Sequence, residues 1–163
     1  MSHGNPMTRR QAQMLCEAAE RFMPGAEIHP CGSFRRGKET VGDLDIAVVV
    51  DDAEQDFEKM VSAFCAGVGG VIERGGDKMA VCNVHGFQVD FYRTERRHLG
   101  AMQLFLTGSA EYGRKVRAAA KRYGMKLNQY GLWREGISLP LASREEEHIT
   151  TVLGLEWVAP EAR

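Results

Sequence analysis

Two aspartates, Asp43 and Asp45, are separated by one residue and stand at the head of an aliphatic run over residues 46–50. The run is β-branched except for Ala47, which is typical of a strand buried on both faces. Residues i and i+2 of a strand point to the same side, so both carboxylates share one face, with Cα atoms roughly 6.5–7 Å apart. Two carboxylates so close repel each other unless a cation lies between them. The spacing therefore favours divalent ions such as Mg²⁺, which take oxygen ligands and leave room for substrate phosphates.

A basic segment containing glycine lies directly before these aspartates. Gly32 allows a tight turn, and Ser33 stands where a short helix would begin, with free N–H groups that favour an anion. Arg35, Arg36 and Lys38 add positive charge beside it. A phosphate-binding loop ahead of a metal-binding carboxylate pair predicts a site for a nucleotide triphosphate.

A third carboxylate, Asp90, falls in a segment over 87–92 that alternates as a strand does. Val89 and Phe91 face one side. The other side carries Gln88, Asp90 and Tyr92. An unpaired carboxylate on a core strand is costly or has a shifted pKa. If this strand lies beside the first aspartate strand, about 4.8 Å away, all three carboxylates converge.

Hydrophobic periodicity and turn residues predict the elements that position these side chains. The predicted elements up to residue 92 are a helix over 8–22 capped by Thr8, a strand over 26–30, the aspartate strand, a helix capped by Asp51 or Asp52, and strands over 71–74, 79–84 and 87–92. The elements predicted after it are a helix over 94–106, a break at 107–109, a helix over 109–123, a small sheet using 127–128, 132–133 and 137–138, and a helix started by a capping box at Ser143. Trp133 and Trp157 are expected in the core of this last part, with stacking of a ring on a nucleic-acid base as the alternative.

The composition fits one core or two small subdomains, with 163 residues of which 44% are hydrophobic. No apolar run approaches the roughly 18 residues of a membrane span, and the N-terminus lacks a signal-peptide pattern. We therefore expect a soluble intracellular protein. The four cysteines show no C-x-x-C spacing and are expected to be reduced thiols.

Net charge is −1, but the charges are unevenly distributed. Residues 1–90 carry 9 Lys and Arg against 14 Asp and Glu, whereas residues 91–163 carry 12 against 8. The stretch over 93–126 has nine basic and two acidic residues, a footprint suited to a phosphate backbone. The second half is therefore the expected nucleic-acid contact.

The segment over 31–46, CGSFRRGK-x-x-x-GD-x-D-[IV], closely resembles the signature of the family X DNA polymerases, which include polymerases beta and lambda. The resemblance continues through Asp90 and Thr107-Gly108-Ser109 and covers nearly the whole chain. It implies an α+β fold, with a nucleotidyltransferase palm of mixed sheet and flanking helices over 1–106. A small α/β thumb-like domain would occupy 107–163.

By this resemblance the chain would be a template-directed DNA polymerase that adds dNTPs to a primer 3′-hydroxyl in gap-filling repair. Asp43 and Asp45 would bridge two Mg²⁺ ions, with Mn²⁺ as a substitute, and Asp90 would bind the second ion and accept the hydroxyl proton. The residues assigned to the triphosphate are Gly32, Ser33, Arg36 and Gly42. The expected partners are primer-template or gapped DNA and a dNTP, with no membrane. The protein is expected to be a monomer in the cytoplasm or nucleus, of cellular or viral origin.

The resemblance also assigns residues in the second half. It implies a cis peptide bond between Gly108 and Ser109, where the nucleotide's sugar and base are held. The residues assigned to sugar and base are Phe105, Leu106, Gly108, Ser109, Ala110 and Gly113. Those assigned to DNA are Arg114, Lys115, Arg117 and Lys121, of which Arg117 matches an arginine that contacts the template strand.

The chain departs from the family pattern in several places. Too few residues precede the first helix for an N-terminal helical lyase domain, so that activity is expected to be absent. The family's Tyr-Phe pair is Phe105-Leu106, and its base-contacting Asn is Gly113. A first-helix arginine that reaches the triphosphate has no clear counterpart, although Arg9 or Arg10 could substitute.

Two other functions remain open from the sequence. A template-independent or small-molecule nucleotidyltransferase would use the same palm, although the short turn at His85-Gly86 favours templated synthesis. A catalytically dead DNA-binding module is the third alternative. Retention of three mutually repelling carboxylates argues against it.

Overall fold

The computed structural model describes residues 4–163 and divides the chain into two compact units, a first that ends at Thr94 and a second that begins at Glu95. This boundary lies earlier than the expected one at residue 106. The reason is the helix over Leu99–Thr107, whose Ala101 and Leu104 are buried in the hydrophobic core of the second unit.

A mixed sheet forms the centre of the first unit. Its elements in chain order are β1 (Met7–Thr8), α1 (Arg9–Phe22), β2 (Glu27–Pro30), α2 (Gly32–Arg35), β3 (Thr40–Val41), β4 (Asp43–Val49), α3 (Phe57–Val68), β5 (Val71–Arg74), β6 (Met79–Val84) and β7 (Phe87–Thr94). The five-stranded sheet has the order β2-β4-β7-β6-β5, with β4 parallel to β7 and the other pairs antiparallel. Strands β1 and β3 pair separately. The α+β fold class is confirmed.

One face of the central strands is apolar and packs into the core of the first unit. Leu44 and Ile46 of β4 and Val89 and Phe91 of β7 are fully buried there. Phe91 meets Phe64 of α3 edge to face, with ring centroids 4.9 Å apart. Because strand residues alternate, burying this face leaves the aspartates of β4 and β7 on the opposite one.

The second unit packs helices around a small hairpin. After a 3₁₀ turn over Arg96–His98, its elements are α4 (Leu99–Thr107), α5 (Ala110–Arg122), β8 (Met125–Asn128), β9 (Gly131–Arg134), α6 (Glu146–Val152) and a 3₁₀ turn over Pro160–Ala162. Val116, Leu132 and Ile149 are fully buried and join α5, β9 and α6 in one core. No helix within residues 4–163 is long and apolar enough to cross a membrane.

Two predicted helix starts are wrong. Helix α3 begins at Phe57 and is capped by Asp56, whose side chain accepts from Lys59 N, because Asp52 instead accepts from Glu54 N in a preceding turn. The capping box at Ser143 does not form. Its hydroxyl donates to Arg97 O at 2.6 Å, and α6 begins at Glu146.

Three further expectations differ from the structure. The helix over 94–106 begins only at Leu99, because Thr94 ends β7. Residues 137–138 form no strand, and the partner that bridges Leu132 is Ala142. Trp157 is 40% exposed rather than in the core, and Trp133 is half-buried with its indole N–H donated to Asn128.

The cysteine prediction is confirmed. All four cysteines lie in the first unit, where they are buried free thiols. Burial raises the pKa of the Cys16 thiol to about 12, with Glu20 and Glu17 adding to the effect. The Cys16 thiol is therefore protonated and unreactive in the folded protein.

Candidate active site

Strands β4 and β7 bring the aspartates onto one face of the sheet. The expected adjacency is confirmed: Asp45 pairs in register with Asp90, and Asp43 pairs with Gln88. Residues opposite each other in a parallel pair point to the same side, about 4.8 Å apart between strands. Asp90 is only 5% exposed, whereas Asp43 and Asp45 are half-buried.

The electrostatics of Asp45 show how closely these groups are placed. Its pKa is raised to about 8, first by burial and then by the charges of Asp43 and Asp90. Arg36 acts in the opposite direction but does not compensate. A carboxylate with this pKa in the absence of a cation is one that a cation would stabilise.

Asp90 has a more balanced environment. Burial is the largest cause that raises its pKa, and the charge of Asp43 adds to it. Hydrogen bonds from Gln88 and the charge of Arg74 lower its pKa. Asp90 is therefore a buried carboxylate that the protein itself holds in place.

Tyr92 lies two residues beyond Asp90 on the same face of β7. Its pKa is raised by burial first and then by the charges of Asp45, Asp90 and Asp43. All three carboxylates therefore act on one neighbouring side chain, as expected for groups that share one face of the sheet.

The loop before β4 is built around Gly32. Its φ of 57° lies in the left-handed region, and a Cβ at this position would collide with Oδ2 of Asp45. The loop is tied to β4 by Cys31 N, which donates to Asp45 O at 2.8 Å. Glycine is thus required both for the turn and for the close approach of an aspartate.

The predicted triphosphate residues lie in this loop and in the segment that follows it up to β4. Ser33 and Arg36 are half-buried on and after the short helix α2, and Lys38 N donates to Ser33 O at 3.1 Å to close the turn. Gly42 is exposed directly before Asp43, with nothing within 4 Å of where its Cβ would lie. Ser33, Arg36 and Gly42 therefore lie in the stretch of chain that leads directly into the carboxylates of β4.

Arg9 has a structural role that the sequence did not indicate. Its guanidinium donates to Phe34 O at 2.7 Å and lies over the Phe34 ring, 4.4 Å from the centroid. Helix α1 therefore fastens helix α2 through this side chain. Of the two arginines considered for a triphosphate contact, only Arg10 is exposed.

The carboxylate cluster has the chemistry of a hard-cation site. No group of three His, Cys, Asp or Glu side chains forms a ready-made metal cluster in the part of the chain that the structure describes. The donors present are nevertheless all carboxylate oxygens, which Mg²⁺ and Mn²⁺ prefer, and burial together with their mutual repulsion raises the pKa of Asp45. The residues present therefore fit a divalent ion.

In the second unit, the peptide bond between Gly108 and Ser109 is cis, as expected. Gly108 has a φ of 66°, and Ser109 caps α5 by accepting from Tyr112 N at 3.3 Å. Phe105, at 48% exposure, and Ala110 are open to solvent, while Leu106 is half-buried. The break between α4 and α5 thus presents both apolar and polar groups.

Helix α5 presents its basic side chains to solvent. The exposed residues are Arg114, Lys115, Arg117, Lys121 and Arg122. Arg117 folds back along the helix, so that its Nη1 lies 3.2 Å from where a Cβ on Gly113 would be. The absence of a side chain at 113 therefore leaves space that the Arg117 guanidinium borders.

Two residues near the carboxylates were not assigned a role from the sequence. Gln88 was placed on the face of Asp90 by alternation, but no pattern shows that the two side chains meet. Arg74 reaches the same face because a bulge between Ile72 and Arg74 shifts the register and sets Arg74 opposite Val81, which pairs with Asp90. A bulge of this kind has no reliable sequence signal.

Comparison with known proteins supports the same assignment. The family model described as DNA polymerase beta palm matches residues 7–75, which include Asp43 and Asp45. The model described as DNA polymerase beta thumb matches residues 102–163, and Asp90 lies between the two matches.

Named relatives agree with these models. The chain is 27% identical to DNA polymerase lambda of Rattus norvegicus over 93% of its own length and 31% of the relative's. It is 24% identical to Repair DNA polymerase X of African swine fever virus, over 81% of its own length and 78% of the viral protein's. It is 40% identical to DNA polymerase IV of Saccharomyces cerevisiae over 47% of its length, which is 13% of the yeast protein. With both palm and thumb regions matched, the chain belongs to the family X DNA polymerases.

Proposed function

We propose that the chain is a template-directed DNA polymerase that adds dNTPs to a primer 3′-hydroxyl and acts in gap-filling repair. The observation that carries this proposal is the register of β4 against β7, which sets Asp45 beside Asp90 with Asp43 on the same face. Two relatives bearing the names of polymerase lambda and a repair polymerase support the reaction class.

The residues that would hold Mg²⁺ are Asp43, Asp45 and Asp90. When bound, the metal ions neutralise triphosphate charge and make the primer hydroxyl more acidic. Asp43 and Asp45 orient the reactants from β4, and an Asp90 oxygen accepts the proton of the 3′-hydroxyl. Ser33, Arg36 and the backbone of Gly32 and Gly42 bind the phosphates and hold the departing pyrophosphate.

The second unit supplies its own proposed contacts. The side chains and backbone around the cis bond bind the sugar and base of the nucleotide, with Phe105 and Gly113 in place of larger polar groups. The exposed arginines and lysines of α5 bind the DNA backbone, and Arg117 contacts the template strand. Such contacts make binding weaken with salt, because each phosphate neutralised releases counterions.

Primer extension with the variant Asp90→Asn tests the proposal. On gapped DNA with Mg²⁺ and each dNTP, we expect the wild-type chain to extend according to the template base and the variant to lose extension while remaining folded. Asp56→Asn is the matched control, because it removes the same charge from the cap of α3 and asparagine caps equally well.

Different results would redirect the assignment. Extension retained by Asp90→Asn contradicts the carboxylate site. Extension that ignores the template base indicates a template-independent transferase on the same palm. Transfer to a small molecule with no extension of DNA indicates a small-molecule nucleotidyltransferase.

A further inference from the structure

Gln88 makes a bifurcated hydrogen bond to the most buried carboxylate of the candidate site. Its amide Nε2 donates to both Oδ1 and Oδ2 of Asp90, at 3.1 Å each. Gln88 is also the residue in register with Asp43. One neutral side chain therefore contacts Asp90 from the position beside Asp43, on the face of the sheet where the reaction is proposed.

Gln88 is itself held on the side away from Asp90. A Cβ built on Gly4 would lie 2.6 Å from Gln88 N and 2.9 Å from Gln88 Cβ, so the segment at Gly4 packs directly on this residue. Asn5 N donates to Gly86 O at 2.8 Å and fixes that segment against the turn before β7. The Gln88 side chain starts from a backbone position with little freedom to shift.

The charge of the donor matters as much as its position. An arginine or lysine here would hold Asp90 but would also offset part of its negative charge. An amide donates hydrogen bonds and carries no charge, so it orients the carboxylate and leaves the charge for a cation. Each Asp90 oxygen gives one lone pair to Gln88 and keeps others for a ligand.

From this geometry we propose that Gln88 is a positioning residue that orients Asp90 as a ligand for a divalent ion. This inference rests on the proposed function of the carboxylate site. The role assigned to Gln88 is the orientation of Asp90 alone. Its amide contacts Asp90, and it acts on the reacting groups only by holding that carboxylate in place.

The test is the binding of Mn²⁺ to Gln88→Met, measured by electron paramagnetic resonance of free Mn²⁺ without DNA or nucleotide. Methionine has nearly the size of glutamine and no donor, so we expect Mn²⁺ to bind about tenfold more weakly, as for other partners of metal ligands. Gln13→Met is the matched control, since Gln13 Nε2 also donates to a carboxylate, that of Glu17 at 3.0 Å on the exposed side of α1. The control is expected to bind Mn²⁺ as the wild type does.

Gln88→Asn is a second variant in case methionine impairs folding. It retains the amide but is one methylene shorter, so it too should bind Mn²⁺ more weakly. Urea unfolding of the metal-free proteins shows whether each variant is folded. A purely structural role for Gln88 would lower the stability measured in this way and leave the Mn²⁺ affinity unchanged. Folded Gln88 variants with the affinity of the Gln13→Met control would overturn the proposal.

Asp90→Asn separates this inference from the proposed function. One outcome is that the wild type and the Gln88 variants bind Mn²⁺ equally well and Asp90→Asn does not bind it. The carboxylate site is then supported, and the role proposed for Gln88 is wrong. If the wild type itself binds no Mn²⁺, the metal site and the role of Gln88 both fail.

Discussion

Each unit of the molecule buries carboxylate in a different way. In the second unit Glu146, with a side chain 5% exposed, is bonded by Arg163 Nη1 at 3.0 Å, and the Arg163 side chain is fully buried. In the first unit the pKa values of Asp45 and Asp90 are raised by burial and by the charge of Asp43, and the nearby arginines, Arg36 and Arg74, do not offset these effects. A buried acid paired with a base has its charge compensated within the fold, whereas the charge of a buried cluster of acids is compensated only when a cation binds.

The Arg163 contacts explain why its pairing is structural. Besides Glu146, its Nε donates to Val158 O at 2.8 Å, and its guanidinium lies 4.6 Å from the ring centroid of Tyr112. The guanidinium thus has both hydrogen-bond and ring partners within the second unit. No comparable basic partner is bonded to Asp90, whose hydrogen bonds in the described structure come from the neutral Gln88.

The largest effect is expected from breaking the matched pair. Arg163→Met leaves Glu146 buried without its base, and loss of one partner of a buried ion pair costs about 3–5 kcal/mol of unfolding free energy. Both tryptophans lie in the second unit, so urea unfolding followed by tryptophan fluorescence reports on this unit alone.

A double variant provides the control for this first prediction. Glu146→Gln combined with Arg163→Met removes both charges and should recover much of the lost stability. If the single and double variants are equally unstable, packing of the arginine rather than charge compensation holds the second unit together.

The next effect concerns the close approach of Gly32 to the carboxylate cluster. Gly32→Ala adds a Cβ where Oδ2 of Asp45 lies, and it places alanine at a φ of 57° at a cost of about 1–2 kcal/mol. Displacing Asp45 by about 1 Å should also slow primer extension by roughly 10²-fold. Gly124→Ala is the control, since its φ is 66° but nothing lies within 4 Å of its Cβ position.

Stability of the first unit can be measured through its thiols. All four cysteines are buried there, so their rate of labelling under native conditions reports on opening of this unit. Equal extension by the Gly32→Ala and Gly124→Ala proteins, with equal thiol protection, would contradict the close contact between Gly32 and Asp45.

The third prediction uses the raised pKa of Asp45, about 8 against an ordinary value near 4. Between these values the folded state retains a proton that the unfolded state has lost, so the metal-free first unit loses stability as pH rises. The slope is about 1 kcal/mol per pH unit. Asp45→Asn cannot ionise and should flatten this dependence, as followed by thiol labelling from pH 5 to about 8.

Local structure was well predicted because its causes are local. The strands β5 and β6 have the predicted limits, and α1 begins with the predicted Thr8 cap, completed by Gln11. Alternation along β4 and β7 placed all three aspartates on one face. These features depend on neighbouring residues, which a sequence displays directly.

The missed features depend on partners distant in the chain. Ser143 has the pattern of a capping box, yet its hydroxyl bonds Arg97, 46 residues earlier. Arg9 fastens Phe34, and the bulge in β5 exposes Arg74 to the carboxylates. Such pairings are selected by packing of the whole unit, and no spacing within one element predicts them.

The smallest effect is also the one that most sharply separates the two kinds of carboxylate site. At a Mg²⁺ concentration three times its dissociation constant, binding to the folded state alone should stabilise the first unit by about 0.8 kcal/mol. Thiol labelling should detect this protection at pH 8, and Asp90→Asn should abolish it. Urea unfolding of the second unit, followed by tryptophan fluorescence, should show no change in stability with Mg²⁺, because Glu146 already has its counter-charge in Arg163. If Mg²⁺ stabilised both units by the same free energy, the ion would be acting on general surface charge. The aspartate cluster would then not be a specific cation site.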